Sequence, residues 1–333
     1  MLPSPLMKVL IAYHHPFEPW RAAPWAASRL QSDFPQLEVV QLTSDDLDTR
    51  QVADLDVLIT CSMTPQQFLA APSLKWIHAP TAAVHELLFP ELIDSGVVVT
   101  NSGEVHGPLV AEHAITLLLA LAKRIPQSVR HQQKREWAQQ ELWDGHPRPR
   151  EVAGATAVVV GMGSIGREFT ARARALGLRV VAVRKDPAKG AHGADAVYPA
   201  THLDEVLPEA DFVLLCAPLT SATAGLMDGP RLARMKRDAY LINVGRGTLV
   251  DERALIEALG NRAIGGAALD VFAEEPLPPS SPLWSMENLL ITPHNGASIN
   301  GLWERHHRLI QENMARFLSG RPLLNQVNKH RGY

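Results

Sequence analysis

The chain has 333 residues, of which 46% are hydrophobic and 20% charged, and a formal net charge of −3. That length exceeds one ordinary core and favours two domains, and the composition excludes a disordered polymer. The charge gives nucleic acid nothing to bind, and no apolar run approaches the ~20 residues of a membrane helix, so a cytoplasmic protein with neither kind of partner is expected.

"MKVLIAY" at residues 7–13 is too short and too early for a secretory signal and reads as a first strand. "KVLIAY", "LEVVQL", "DVLIT", "LKWIHA" and "VVVTN" follow one another as strand candidates in the first hundred residues, alternating with helix-period segments. This is the pattern of a parallel sheet covered by helices. Cys61 and Cys216 each end an apolar run and read as buried small side chains in a reducing compartment, not as a disulfide. "GPLVAEHAITLLLALAKRI" (107–125) is apolar nearly all round and predicts a buried helix bracketed by Pro108 and Pro126. The polar stretch 127–150 carries Trp137 and Trp143 and reads as a solvated connector or as an arm packing on a second subunit.

From residue 155 the alternation restarts, with strands "TAVVVG", "RVVAVR", "DFVLLCA", "AYLINV", "GGAALDV" and "NLLITP". A last helix over 301–320 stops at Gly320, before Pro322.

The first of these strands runs into Gly161, Met162, Gly163, Ser164, Ile165 and Gly166 at the mouth of a helix. Gly161 allows the tight turn, Gly163 lets a pyrophosphate approach the backbone, and Gly166 lets helix pack on strand. Free N–H groups and the helix dipole favour the anion, so a dinucleotide site is expected. The next strand ends in Arg184 and Lys185, where an NAD site would hold an acid for the ribose 2′-hydroxyl. Two cations there predict NADP(H) in preference to NAD(H); NAD(H) is the alternative if Asp186 does the acid's work. Three later strands end in charged or titratable groups: Arg246 in "NVGRG", Asp270, Glu274 and Glu275 in "DVFAEEPLP", and His294 in "TPHNGA". Open α/β sheets bind ligands at that edge.

In this order the motifs resemble the D-isomer-specific 2-hydroxyacid dehydrogenase family over most of the chain, most closely from about residue 100 to 300. The resemblance implies an α/β protein of two Rossmann-like or flavodoxin-like parallel-sheet domains. A cofactor domain (103–295) is inserted into a substrate domain (1–102 and 296–333), the helices at 107–125 and 301–319 bridge the two, and the protein is a homodimer. The implied activity is NAD(P)H-dependent reduction of a small 2-keto acid, of glyoxylate or hydroxypyruvate type, to the D-2-hydroxy acid, without a metal. The family's catalytic arginine, glutamate and histidine fall on Arg246, Glu275 and His294; Glu275 is chosen over Glu274 because it directly precedes the Pro-Leu pair. These roles agree with the chemistry. A guanidinium fork can bind the carboxylate and carbonyl of a keto acid, histidine can exchange a proton in both directions, and a carboxylate beside it favours the imidazolium.

The same resemblance has Asp270 accept from the nicotinamide amide and places Ala217, Pro218 and Thr223 on the adenosine side. Val244 and Gly245 lie along the cofactor, and Val110 and Gly296 touch the nicotinamide region. Backbone N–H groups at Ala82 and Ala83 bind the substrate carboxylate, although this chain has Ala82-Ala83-Val84 where the family has Ala-Gly-Val. Formate- and phosphite-oxidising relatives are one alternative, against which Glu275 speaks because formate enzymes pair glutamine with histidine. Nucleotide-sensing corepressors, which keep much of the site, are the other.

Overall fold

The computed structural model describes residues 6–44 and 47–332. Two compact units emerge, one made of the chain up to His106 together with Ser298 onward, the other of Gly107–Ala297.

In the first unit, apolar runs rich in Val, Ile and Leu become β1 (Met7–Ile11), β2 (Leu37–Gln41), β3 (Val57–Ile59), β4 (Trp76–Ala79) and β5 (Val98–Asn101). All pair in parallel in the order β2-β1-β3-β4-β5, the flavodoxin-like arrangement. The two-residue period of a strand sends alternate side chains to opposite faces. Val57, Ile59 and Trp76 join Leu30, Ile310 and Met314 in one core, while Leu58 and Ile77 join Leu87, Leu92 and Val99 in another. A one-residue slip of β3 would exchange its two faces.

The second unit contains β6 (Thr156–Val160), β7 (Arg179–Arg184), β8 (Ala196–Pro199), β9 (Phe212–Leu215), β10 (Tyr240–Asn243), β11 (Gly266–Leu269) and β12 (Leu289–Ile291). They form a parallel sheet in the order β12-β11-β10-β9-β6-β7-β8, doubly wound, with its topological switch between β6 and β9. Val158 and Val160 face one core; Ala157 and Val159 face the other, where the helix Gly103–Ala122 lays Val110, Ala114, Leu117, Leu118 and Leu121 beside Phe169. Phe169 is fully buried, and truncating it to alanine would cost roughly 3–5 kcal/mol.

Several boundaries differ from the sequence reading. The long helix begins at Gly103, not 107, because the Asn101 side chain accepts from Gly103 N–H (3.1 Å) and the Ser102 carbonyl accepts from Val105 and His106. Pro108 therefore lies inside it, and Pro126 opens a further helix, Ile125–Lys134, where a missing N–H costs little. At 20 residues and a mean hydropathy of 1.5, the helix Gly103–Ala122 is also long and apolar enough to cross a membrane, against the expectation that no run would be. Here that apolar surface is largely spent on the core beside β6 and β9. The stretch 127–150, read as a solvated connector or an arm, is largely helical: it holds most of Ile125–Lys134 and all of Gln139–Asp144, and neither helix buries a residue. β8 was not expected at all; "AVYP" is short, half-buried throughout and ends in proline, which suits only a sheet edge. Cys61 and Cys216 are both free, and both partly rather than fully buried.

Candidate active site

The turn after β6 is built by backbone contact. Gly161 has φ +105, and a Cβ there would lie 2.7 Å from Ala217 N, so the glycine turn and the loop after β9 touch main chain to main chain. A Cβ on Gly166 would meet the Gly161 carbonyl at 2.1 Å, which is the helix-on-strand closeness this position exists to permit. At Gly163, by contrast, nothing lies within 4 Å of the Cβ position, and no side chain caps the helix Ser164–Ala175 that it begins. An uncapped first turn with open space before it fits an anionic pyrophosphate. Met162 is buried, with Sδ 3.8 Å from Thr170 Oγ1. Ile165, Val110 and Val244 share the same apolar cluster. Beyond Ala217, Thr223 Oγ1 donates to the Pro218 carbonyl (2.7 Å) and closes that loop.

At the end of β7, Arg184 donates from Nη1 to the Gly190 carbonyl (2.9 Å), and Lys185 is exposed. The Asp186 carboxylate accepts from Ala188 N (3.1 Å) and caps the turn Pro187–Lys189. It is engaged in its own loop.

Three neighbouring strands deliver the remaining groups. After β10, Asn243 Oδ1 accepts from Gly245 N (3.0 Å) and Asn243 Nδ2 donates to the Arg246 carbonyl (2.9 Å), while Arg246 donates from Nη1 to the Gly245 carbonyl (2.7 Å). A Cβ on Gly247 would come within 1.8 Å of Phe272 C, so this loop lies directly on the loop after β11. There Glu275 Oε1 accepts from Phe272 N (2.8 Å), and Oε2 lies 2.6 Å from His294 Nδ1. Burial pushes the Glu275 carboxyl up, but the hydrogen bonds from His294 and Phe272 and the charges of His294 and Arg246 outweigh it and hold it below its ordinary range. His294 has φ +50, a left-handed conformation unusual outside glycine, and its side chain is 35% exposed. The Nδ1 contact with Glu275 fixes the orientation of the imidazole ring.

Asp270, 3% exposed, is occupied within the protein. Its Oδ1 accepts from Thr292 Oγ1 (2.6 Å) and Asn295 N (3.1 Å), its Oδ2 from Gly296 N (3.0 Å), and His113 Nε2 lies 3.3 Å from Oδ1. His113 and Thr292 escaped the sequence reading. The available signal was the position of His113 three residues after Val110, one turn along an otherwise apolar face.

Ala82 and Ala83 belong to the other unit. Neither has positive φ, and the loop's hydrogen bonds run to their carbonyls, from Asn101 Nδ2 (2.9 Å) and Thr81 Oγ1 (2.6 Å). Around the polar helices, His131, Glu136 and Glu141 gather closely enough to hold a cation, but His131 Nδ1 already lies 2.8 Å from Glu136 and 3.8 Å from Glu141, and the three enter no part of the site.

The profile described as "D-isomer specific 2-hydroxyacid dehydrogenase, NAD binding domain" matches residues 115–296. The chain is similar to the glyoxylate reductase of Korarchaeum cryptofilum (33% identical over 288 residues, 84% of each chain). It is also similar to the D-3-phosphoglycerate dehydrogenase of Methanocaldococcus jannaschii (31% identical over 306 residues), covering 91% of this chain and 57% of that one. Among solved structures, the NADPH-dependent glyoxylate/hydroxypyruvate reductase of Sinorhizobium meliloti, in complex with NADP and sulfate, superposes with a TM-score of 0.82 at 27% identity, covering 98% of this chain and all of that one. The chain belongs to the D-isomer specific 2-hydroxyacid dehydrogenase family. It is an NAD(P)-dependent 2-hydroxyacid dehydrogenase, an oxidoreductase.

Proposed function

We propose that the protein reduces glyoxylate or hydroxypyruvate to the D-2-hydroxy acid, with NADPH preferred over NADH and His294 as general acid and base. The observation that carries this reading is the 2.6 Å contact of His294 Nδ1 with Glu275, next to the loop of Arg246. The nicotinamide cofactor supplies the hydride when bound. Gly163 and the uncapped first turn of Ser164–Ala175 receive its pyrophosphate. Arg246 binds the substrate's carboxylate and carbonyl oxygens with its fork of donors. His294 gives the proton from Nε2 to the carbonyl oxygen as it becomes a hydroxyl and takes it back in the reverse direction; Glu275 orients the ring and stabilises its charged form.

NADPH is favoured because Arg184 and Lys185 stand where a 2′-phosphate needs cations and Asp186 is engaged in its own turn. Phosphorylated substrates are disfavoured, since "TCSMTPQQF" (60–68) and "APTAAVHEL" (79–87) contain no lysine or arginine. The reading places the protein in the cytoplasm as a homodimer, supported by Trp137, 93% exposed between the two polar helices, and Trp143, 53% exposed on the second of them.

A single panel tests it: glyoxylate, hydroxypyruvate, pyruvate, phenylpyruvate, 2-ketoisocaproate and 3-phosphoglycerate, each with both cofactors. Glyoxylate and hydroxypyruvate with NADPH should give the highest kcat/KM. Efficient, saturable oxidation of 3-phosphoglycerate would overturn the substrate assignment. Absence of any turnover would leave the nucleotide-sensing alternative.

A further inference from the structure

We infer that His113 is a positioning residue for this reaction: it clamps the turn that carries His294, through Thr292 and Asp270. The inference rests on the reading of His294 as the proton donor. Its physical basis is the cost of the turn itself. His294 sits at φ +50, which a non-glycine residue holds only where its surroundings over-determine it. The restraints are a closed set of hydrogen bonds. His294 N–H donates to the Asp270 carbonyl (2.9 Å), and the next two N–H groups, of Asn295 and Gly296, donate to the two oxygens of the Asp270 carboxylate (3.1 and 3.0 Å). One aspartate thus binds three consecutive residues of the turn, and the clamp is only as firm as that carboxylate.

His113 holds the carboxylate. Thr292 Oγ1 has one proton and gives it to Asp270 Oδ1 (2.6 Å), so toward His113 Nε2, 3.0 Å away, the hydroxyl can only accept. This fixes the proton of His113 on Nε2, which also faces Asp270 Oδ1 at 3.3 Å. The carboxylate then has donors from a helix, a strand end and the turn. Burial pushes the Asp270 carboxyl up; the His113 and Thr292 hydrogen bonds, the charge of His113 and Gly296 N–H together bring it below its ordinary range. Packing makes the same point independently. A Cβ on Gly296 would meet Asp270 Oδ2 at 2.9 Å and His113 Cδ2 at 3.2 Å, so turn, carboxylate and imidazole leave no room between them.

The test replaces His113 with Leu, which fills the space without a donor, and with Gln, whose amide nitrogen can reach the place of Nε2. Amide hydrogen exchange over residues 290–297 reads the clamp without reference to turnover; His113→Leu should speed it roughly tenfold or more. In the same variant kcat for the best keto acid should fall about 10- to 100-fold, with KM for that acid changed less than about threefold, since the proton donor is misplaced while Arg246 is not. His113→Gln should restore most of both. Unchanged exchange in His113→Leu overturns the clamp, whatever the activity. Faster exchange with kcat within about twofold of the parent overturns the link from clamp to reaction. Failure of the underlying reading shows separately, as a near-normal kcat in His294→Asn.

Discussion

In the unit of β1–β5, two histidines are enclosed: His78 and His306 are at most 1% exposed and meet through Ser102 Oγ, at 3.2 and 2.9 Å. In the unit of β6–β12, His294 keeps 35% of its side-chain surface open and contacts a carboxylate. His78 closes the circuit at its other nitrogen with the Thr100 hydroxyl (2.8 Å), so both ring nitrogens bond neutral groups. Burial drives its proton affinity down to about 3, and it is a neutral strut at any physiological pH. A proton carrier needs the opposite arrangement, with one nitrogen on an anion and the other accessible. Both histidines lie at or just past the carboxyl end of a parallel strand, so position alone does not separate them; their partners do.

Acid should part the two units most. A histidine whose proton affinity is lowered on folding stabilises the fold above its unfolded value of about 6.5, and that stability drains as pH falls toward 3. His78 alone should then remove roughly 3 kcal/mol by pH 4. His306, lowered by burial and by the neighbouring His106 and His78, adds in the same direction. Asp270 and Glu275 are lowered carboxylates, whose stabilisation persists until pH falls below about 4. Hydrogen exchange followed from pH 7 to 4 should therefore show β1–β5 loosening before β6–β12; the reverse order would contradict the comparison.

His294→Asn comes next: a loss of roughly a hundredfold or more in kcat with little change in Tm, measured by steady-state reduction and thermal melting. Glu275→Gln should cost less and move the pH profile of kcat downward, because the charge favouring imidazolium is gone. Arg184→Asp should shift the NADPH-to-NADH ratio of kcat/KM about tenfold or more toward NADH; a parent enzyme already favouring NADH tenfold would mean that Asp186 does bind the ribose. The smallest structural effect belongs to Gly163→Ala, which has free space for its methyl and should leave Tm within about 2 °C while weakening cofactor binding. Gly161→Ala, facing Ala217 N at 2.7 Å with φ +105, should instead destabilise the β6–β12 unit.

The parallel α/β class and eleven of the strands were readable because buried strands announce themselves as short apolar runs between turn residues. β8 escaped because an edge strand needs no continuous apolar face. The glycine turn, Arg246, Glu275 and His294 were legible as motifs at strand ends, and the fold gathers the last three on adjacent strands. The second layer was not. His113 and Thr292 are 179 positions apart, and no local pattern reports that one will lean on the other. Asp270 was visible as a residue, but its ring of donors, which turns the carboxylate inward, arises only on folding.

The left-handed backbone at His294 also bears on how this chain could drift. Asparagine and aspartate adopt that conformation more readily than other non-glycine residues, and each lies one base change from a histidine codon. On the role proposed for His294, a single nucleotide substitution would abolish proton transfer while preserving the turn and the glycine loop. The shortest mutational route out of catalysis leads to a folded protein that keeps its glycine loop, ready to be selected for binding alone.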